Sequence, residues 1–252
     1  MYTKQSPIPK ILKRFSGFFI YGHRGLSKHR SENTMSSFSY AIKANVNGIE
    51  LDVQKIKGGE LIVFHDENLS RVNGRQKPIS EYSYSEIKNI DIAKKWDKIK
   101  NQSIPQLVDI LKLIPKNLML NIEIKSYKSS QNNIIYDIMD LIEKYDLYDN
   151  IIVSSFNPFM LFKIKKLNNK IPIAIIWNGR TKFIKMIVRL LKPSTFHMHH
   201  KYINPKIINW MHKRNTMVFA YTVNNKEDYL KAKNCNLDGV FTDVNLFTIK
   251  HS

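Results

Sequence analysis

The chain has 252 residues, 43% of them hydrophobic, which suits one large domain with a real core and excludes a mainly disordered chain. Forty Lys and Arg against 21 Asp and Glu give a formal net charge of +19, pointing to polyanionic company: nucleic acid, an acidic membrane surface or phosphate-bearing substrates. A lone Cys235 permits neither an internal disulfide nor a cysteine-paired zinc site, so a reducing cytoplasm is expected.

Along the chain, Lys4, Lys10, Lys13 and Arg14 precede an apolar stretch, Phe18 to Tyr21, that is too short for the core of a signal peptide. Short apolar runs then recur with helix-periodic stretches between them, the pattern of strand and helix alternation around a parallel sheet. Phe18–Gly22 is the first predicted strand, and a helix over Ser36 to Ala44 follows the cap-like pair Asn33-Thr34. Gly48–Val53 and Leu61–His65 come next, separated by an extended return with a turn at Gly58-Gly59 and no room for a crossing helix. Residues 66 to about 104 are polar, with Asn73-Gly74, Pro78 and a short helix near Ser83–Asn89, and read as a capping insertion in one domain spanning 1–252. Beyond it, helices over Gln106 to Ile114 and Ile134 to Tyr145 alternate with strands Leu118–Ile124, Ile151–Phe156, Pro172–Trp177, Met217–Val223 and Gly239–Thr242. Phe196–His199, after Pro193 and rich in His, reads either as a short barrel strand or as an inner loop element. It is the ninth candidate, one more than a closed eight-stranded barrel holds. The longest uncharged run, Asn150 to Phe162, has thirteen residues and falls short of the ~20 apolar residues that a spanning helix needs.

Four predicted strand ends carry nearly all the reactive side chains: Gly22-His23-Arg24-Gly25, Glu50-Leu51-Asp52, Phe64-His65-Asp66 and Glu123-Ile124-Lys125. In a parallel β/α barrel the carboxyl ends of the strands form one mouth, so these segments are expected to converge there. Glu50 and Asp52, two apart, share a face, as do Glu123 and Lys125. Three converging carboxylates repel unless a cation neutralises them, and all-oxygen ligation without Cys selects a hard divalent ion, Mg²⁺ or Ca²⁺. His23 and His65 flank that trio, and two imidazoles can divide acid and base work, as phosphodiester cleavage requires. Arg24 and Lys125 are expected to neutralise the non-bridging phosphate oxygens. Glu32 and Asn33 suit a helix start as well as a substrate pocket, and Phe156 and Tyr221 suit core packing as well as substrate contact.

In these residues the sequence resembles the glycerophosphodiester phosphodiesterase family. The match comprises His23-Arg24-Gly25, Glu32-Asn33-Thr34, Glu50-x-Asp52-Val53, His65-Asp66, Leu69-x-Arg71, Ile104-Pro105-x-Leu107, Glu123-Ile124-Lys125, Ser155-Phe156, Tyr221-Thr222-Val223-Asn224 and Gly239-Val240-Phe241-Thr242-Asp243, in family order. The resemblance implies an eight-stranded (β/α) barrel with a small insertion after the third strand, and metal-dependent hydrolysis of glycerophosphodiesters to glycerol 3-phosphate and an alcohol. It also implies His23 and His65 as the catalytic pair, with Glu50, Asp52 and Glu123 as metal ligands. Two positions depart from the pattern: Ser31 stands where Pro is usual, which reads as a change in loop rigidity, and Tyr221 where Trp is usual. A lysophospholipase D or sphingomyelinase D-like enzyme on a similar barrel is the nearest alternative, and an inactive basic barrel on a membrane surface is an alternative of another class. Against the latter, every catalytic position is filled.

The charge is unevenly placed, since Asn150 to Lys226 contains fourteen Lys and Arg and no Asp or Glu. If Arg180 to Lys192 is helical, Lys182, Lys185, Arg189 and Lys192 fall within an arc of about 80°, with Phe183, Ile184, Ile187, Val188, Leu190 and Leu191 packing inward. That outward stripe is expected to touch anionic membrane peripherally, on the inner surface for a cytoplasmic protein. Nucleic acid fits less well, because the stripe lacks interleaved aromatics for base stacking.

Overall fold

The computed structural model describes residues 4–125 and 133–246. Its elements run α1 (Lys10–Arg14), β1 (Phe19–His23), α2 (Met35–Lys43), β2 (Gly48–Lys55) and β3 (Leu61–Val63). An insertion follows, with β4 (Asn68–Leu69), α3 (Ser70–Asn73), β5 (Arg75–Pro78) and α4 (Tyr84–Ile87). Alternation resumes with α5 (Leu107–Leu113), β6 (Met119–Ile124), α6 (Ile134–Lys144), β7 (Ile151–Ser155), α7 (Pro158–Leu167), β8 (Ile173–Trp177) and α8 (Ile184–Leu191). It ends with β9 (Thr195–His199), α9 (Pro205–His212), β10 (Met217–Tyr221), α10 (Lys226–Asn234) and β11 (Gly239–Thr242).

Eight parallel strands, β1, β2, β6, β7, β8, β9, β10 and β11, close into a barrel through the β1–β2 pairing. The Phe196–His199 segment is therefore a full barrel strand, paired in parallel on both sides. The ninth strand is Leu61–Val63, which pairs antiparallel with the outer end of β2. Its direction follows from the short Gly58-Gly59 turn, since a parallel return needs a crossover of a dozen or more residues.

Side-chain alternation sorts each barrel strand. Outward residues such as Ile20, Ile49, Leu51 and Ile122 meet the helices. Inward residues form a floor of Phe19, Tyr21, Met119, Ile152, Phe219 and Phe241, closed from beneath by Leu12 of α1. Gly48 is required beside this floor, because a Cβ there would lie 2.4 Å from the Tyr21 ring. One step of two residues further along each strand, the same inward face carries His23, Glu50 and Asp52, Asn121 and Glu123, and Tyr221.

The insertion packs on β3 through a separate apolar cluster, in which Ile62 and Phe64 meet Leu69, Ile79, Tyr82, Ile87 and Ile104. Ser31 anchors it to the barrel: its N–H and hydroxyl donate to Asp97 Oδ2 at 2.6 and 2.7 Å, and its Oγ accepts from Lys94 N at 2.9 Å. A proline at 31 would supply neither donor, so the residue that departs from the family pattern makes a tether that proline would not make.

Helix boundaries follow capping chemistry. Thr34 Oγ1 accepts from Ser37 N at 3.1 Å and starts α2, while Ser83 and Glu86 form a capping box on α4. The basic segment differs from its sequence reading. The helix begins only at Ile184, so Lys182 precedes it, and Lys192 ends it in the left-handed conformation at φ 44°. Only Ile184, Val188 and Leu191 are buried, whereas Phe183, Met186 and Leu190 remain exposed. A single helix on a barrel offers its strands an arc of only about a third of its circumference, and six apolar positions overfill that arc.

Elsewhere, His212 Nε2 donates to Asp238 Oδ2 at 2.8 Å, and that oxygen also accepts from Val218 N at 2.6 Å. The hydrogen bond to Asp238 raises the His212 pKa above its ordinary 6.5, against the opposing effect of burial. Its stabilisation is therefore fully present below the unfolded value and is lost as pH rises through the folded one. Urea unfolding is expected to show His212→Gln less stable than the parent at acidic pH, the gap closing toward alkaline pH. A gap that is constant with pH would remove this linkage.

Candidate active site

The carboxyl ends of the barrel strands surround a cavity of about 260 Å³ lined by His23, Arg24, Glu50, His65, Asn121, Glu123, Lys125, Phe156, Ile176, His199 and Tyr221, among others. Glu50, Asp52 and Glu123 are 3%, 0% and 8% exposed, and one carboxylate oxygen from each lies within 4.8 Å of the others. Lys125 bridges two of them, with Nζ 2.5 Å from Glu123 Oε1 and 2.8 Å from Asp52 Oδ1. Arg24 Nε stands 3.1 Å from Asp52 Oδ2, and the Arg24 backbone N–H donates to Glu50 Oε2 at 2.8 Å. That N–H reaches Glu50 because the chain turns sharply, with Arg24 at φ 54° and Gly25 at φ 82°. At Gly25 any side chain is excluded, since a Cβ would sit 2.5 Å from Ser37 Oγ.

Burial, followed by the charges of Asp52 and Glu123, raises the Glu50 pKa well above the carboxylate range. At Asp52 burial acts the same way but loses to Lys125 and Arg24, and the group is held ionised. Glu50 Oε1 is buried with no hydrogen-bond partner among the described residues. An orphaned carboxylate oxygen beside two further carboxylates fits a hard divalent cation, whose ligands are oxygens.

Each histidine is held by its own carboxylate. His23 Nδ1 lies 2.7 Å from Asp243 Oδ1, and Asp243 also accepts from Ser27 Oγ and Asn224 Nδ2 at 2.6 and 2.7 Å. Burial would raise the Asp243 pKa, but the bond and charge of His23 with the Ser27 and Asn224 bonds hold it far below the usual range. A carboxylate only accepts, so the proton sits on His23 Nδ1, leaving Nε2 4.0 Å from Glu50 Oε2. His65 repeats the scheme, with Nδ1 2.7 Å from Asp66 Oδ1 and Arg71 Nε donating to Asp66 Oδ2 at 2.7 Å. Burial raises the Asp66 pKa less than His65 and Arg71 lower it. The His65 loop is held from below by buried Gln54, whose amide donates to Phe64 O at 2.8 Å and Asp66 O at 2.9 Å. His65 comes to the mouth because β2 overshoots the barrel rim and β3 returns along it, with Phe64 N donating to Asp52 O at 3.0 Å.

His23, Arg24, His65, Glu50, Asp52, Glu123 and Lys125 are thus brought together as expected. Phe156, 46% exposed, and Tyr221 line the cavity with their rings edge to face at 6.2 Å. Glu32 and Asn33 lie behind it: Asn33 Nδ2 donates to Asp52 Oδ2 at 2.8 Å, and Glu32 accepts from Arg24 at 2.9 Å, Arg71 at 2.7 Å and pairs with Lys94 at 2.6 Å. Sequence reading passed over Gln54 and Asn121, although each stands two residues from a singled-out carboxylate and so shares its face. It quoted Asp66 and Asp243 without a role.

The family model for the glycerophosphoryl diester phosphodiesterase family matches residues 23–245. The chain belongs to that family. It is 32% identical over 229 residues to a glycerophosphodiester phosphodiesterase of Caldanaerobacter subterraneus subsp. tengcongensis, covering 89% of this chain and 93% of that protein. It is 25% identical to a lysophospholipase D of Homo sapiens, covering 88% of this chain and 82% of that one. Among solved structures it resembles an Oleispira antarctica phosphodiesterase in complex with the product sn-glycerol-3-phosphate, with a TM-score of 0.85, 25% identity, and 93% and 97% of the two chains covered.

Asp243→Asn replaces an acceptor with an amide that can also donate to Nδ1 and so turn the imidazole to the wrong tautomer. Steady-state kinetics should show kcat lowered about tenfold with KM little changed, and Asp66→Asn should behave alike through His65. An unchanged kcat in both would reduce the two pairs to packing.

Proposed function

We propose that this protein is a metal-assisted phosphodiesterase that hydrolyses glycerophosphodiesters to glycerol 3-phosphate and an alcohol, with His23 and His65 as its acid–base pair. The observation that carries the reading is the pair of Asp-anchored imidazoles flanking one buried carboxylate trio in one cavity. With Nδ1 of each committed to a carboxylate, a proton exchanged with substrate passes through Nε2. In the favoured assignment His23 takes a proton from the nucleophile, the attacking oxygen bonds to phosphorus, and His65 protonates the alkoxide as its P–O bond breaks. Attack by water gives glycerol 3-phosphate directly, whereas attack by the substrate glycerol hydroxyl gives a cyclic phosphodiester that a water must then open. Arg24 and Lys125 meet the non-bridging oxygens, and Glu32 and Asn33 hold Arg24 and Asp52 in position from behind. Glu50, Asp52 and Glu123 would hold Mg²⁺ or Ca²⁺, which when bound supplies Lewis-acid polarisation of a phosphoryl oxygen. Phe156 and Tyr221 form an apolar wall for one end of the substrate.

That wall, with the human lysophospholipase D relative, favours lysolipid as a second substrate class. Release of choline from glycerophosphocholine and from lysophosphatidylcholine, each with Mg²⁺ or Ca²⁺, tests both. Turnover of the first supports the primary reading, and turnover of lysolipid alone supports the second. Turnover of neither, with both metals, overturns the enzymatic assignment.

A further inference from the structure

The exposed residues of α7 and α8 do not follow the usual polar outer face of a barrel helix. On α8, Lys185 and Arg189 share one side and Met186 and Leu190 the adjacent one, while Ile184, Val188 and Leu191 pack inward. The basic side lies toward α9, where Lys185 and Arg189 stand 5.9 and 5.8 Å from the Trp210 ring, so the apolar side lies toward α7. There α7, in contact with α8, exposes Phe159 and Phe162 at 82% and 50%, and Phe183 before α8 is 69% exposed. Four large apolar side chains thus share two neighbouring helices, with Phe183 just before the second and Lys182, Lys185 and Arg189 alongside.

This surface is next to the cavity. Phe159 is three residues beyond the cavity-lining Phe156, in the first turn of α7, and Phe183 precedes α8 at the same mouth end of the barrel. Charge selects the occupant: with no Asp or Glu from Asn150 to Lys226, a second copy of this chain would bring like charge to like charge. We propose that the α7–α8 face docks the protein on an anionic bilayer, with Phe159, Phe162, Phe183, Met186 and Leu190 entering the interface and Lys182, Lys185 and Arg189 meeting the headgroups. The combination of apolar insertion and basic flanks is what interfacial helices use. The cavity mouth then opens beside the membrane surface. This inference is independent of the catalytic reading.

Cosedimentation of the full chain with phosphatidylcholine vesicles, with and without phosphatidylglycerol, tests it. Binding is expected only with phosphatidylglycerol and should fall as salt is raised. The triple variant Lys182→Gln, Lys185→Gln, Arg189→Gln and the double variant Phe159→Ser, Phe183→Ser should each bind about 10²-fold more weakly. A control with equal charge loss, Lys43→Gln, Lys112→Gln, Lys116→Gln, should stay within about twofold of the parent. Hydrolysis of soluble glycerophosphocholine should be unchanged in all three, separating a docking defect from a catalytic one. Equal loss in the control, equal binding to neutral vesicles, or no binding to anionic ones would overturn the proposal. So would light scattering that shows the serine variant turning a lipid-free dimer into a monomer.

Discussion

Alanine at His65 is expected to lower kcat toward glycerophosphocholine at least about 10²-fold, and alanine at His23 by a similar factor, the usual scale for losing one acid–base group. The two defects should differ in how they respond to the leaving group. A nitrophenyl ester expels an anion that needs no proton, so it should restore most of the rate to the variant lacking the acid and none to the variant lacking the base. In the favoured assignment His65→Ala recovers and His23→Ala does not. The opposite pattern exchanges the roles, and equal recovery of both would remove the division of labour. Folding is not expected to suffer in either variant, because the rings line the cavity rather than the floor cluster. Near-ultraviolet circular dichroism checks that.

Removal of divalent ions is expected to lower activity by about 10³-fold, consistent with the several kcal/mol that a Lewis acid supplies, and Mg²⁺ or Ca²⁺ should restore it. The same treatment should leave the barrel folded. Two cations, Arg24 and Lys125, already stand against the three carboxylates, and burial with its charged neighbours favours a protonated Glu50 where no ion competes. Re-addition of metal at about 100 times its dissociation constant should raise Tm by roughly 5–10 °C, since binding of that strength contributes about 2.7 kcal/mol to a chain of this size. Glu50→Gln should weaken this thermal response and the activity together. Full activity in excess chelator would overturn the metal assignment, and unfolding on chelation would show that Arg24 and Lys125 do not compensate the trio.

Which side chains meet at the mouth was legible in the sequence because it depends on a period of two. Once Glu50 and Asp52, or Glu123 and Lys125, lie on a strand, their common direction follows from backbone geometry alone, and alternation with helices brings parallel strand ends to one rim. The family pattern adds order to these residues but no partners. What the sequence left open was what long-range contacts decide. Phe196–His199 could be strand or loop until its pairing with β8 and β10 made it part of the ring, and Leu61–Val63 became the extra strand because its short turn sends it back along β2. Asp243 meets His23 across 220 positions, Asp97 meets Ser31 across 66, and no local periodicity encodes either meeting. Phe183 and Leu190 read as core because hydrophobicity alone does not count the space available. Only the packed barrel, which takes in Ile184, Val188 and Leu191 and has no room for more, left them on the surface. Local direction is set by covalent geometry and so by sequence, whereas partnership and exposure depend on which segments compete for the same volume, which the tertiary structure alone decides.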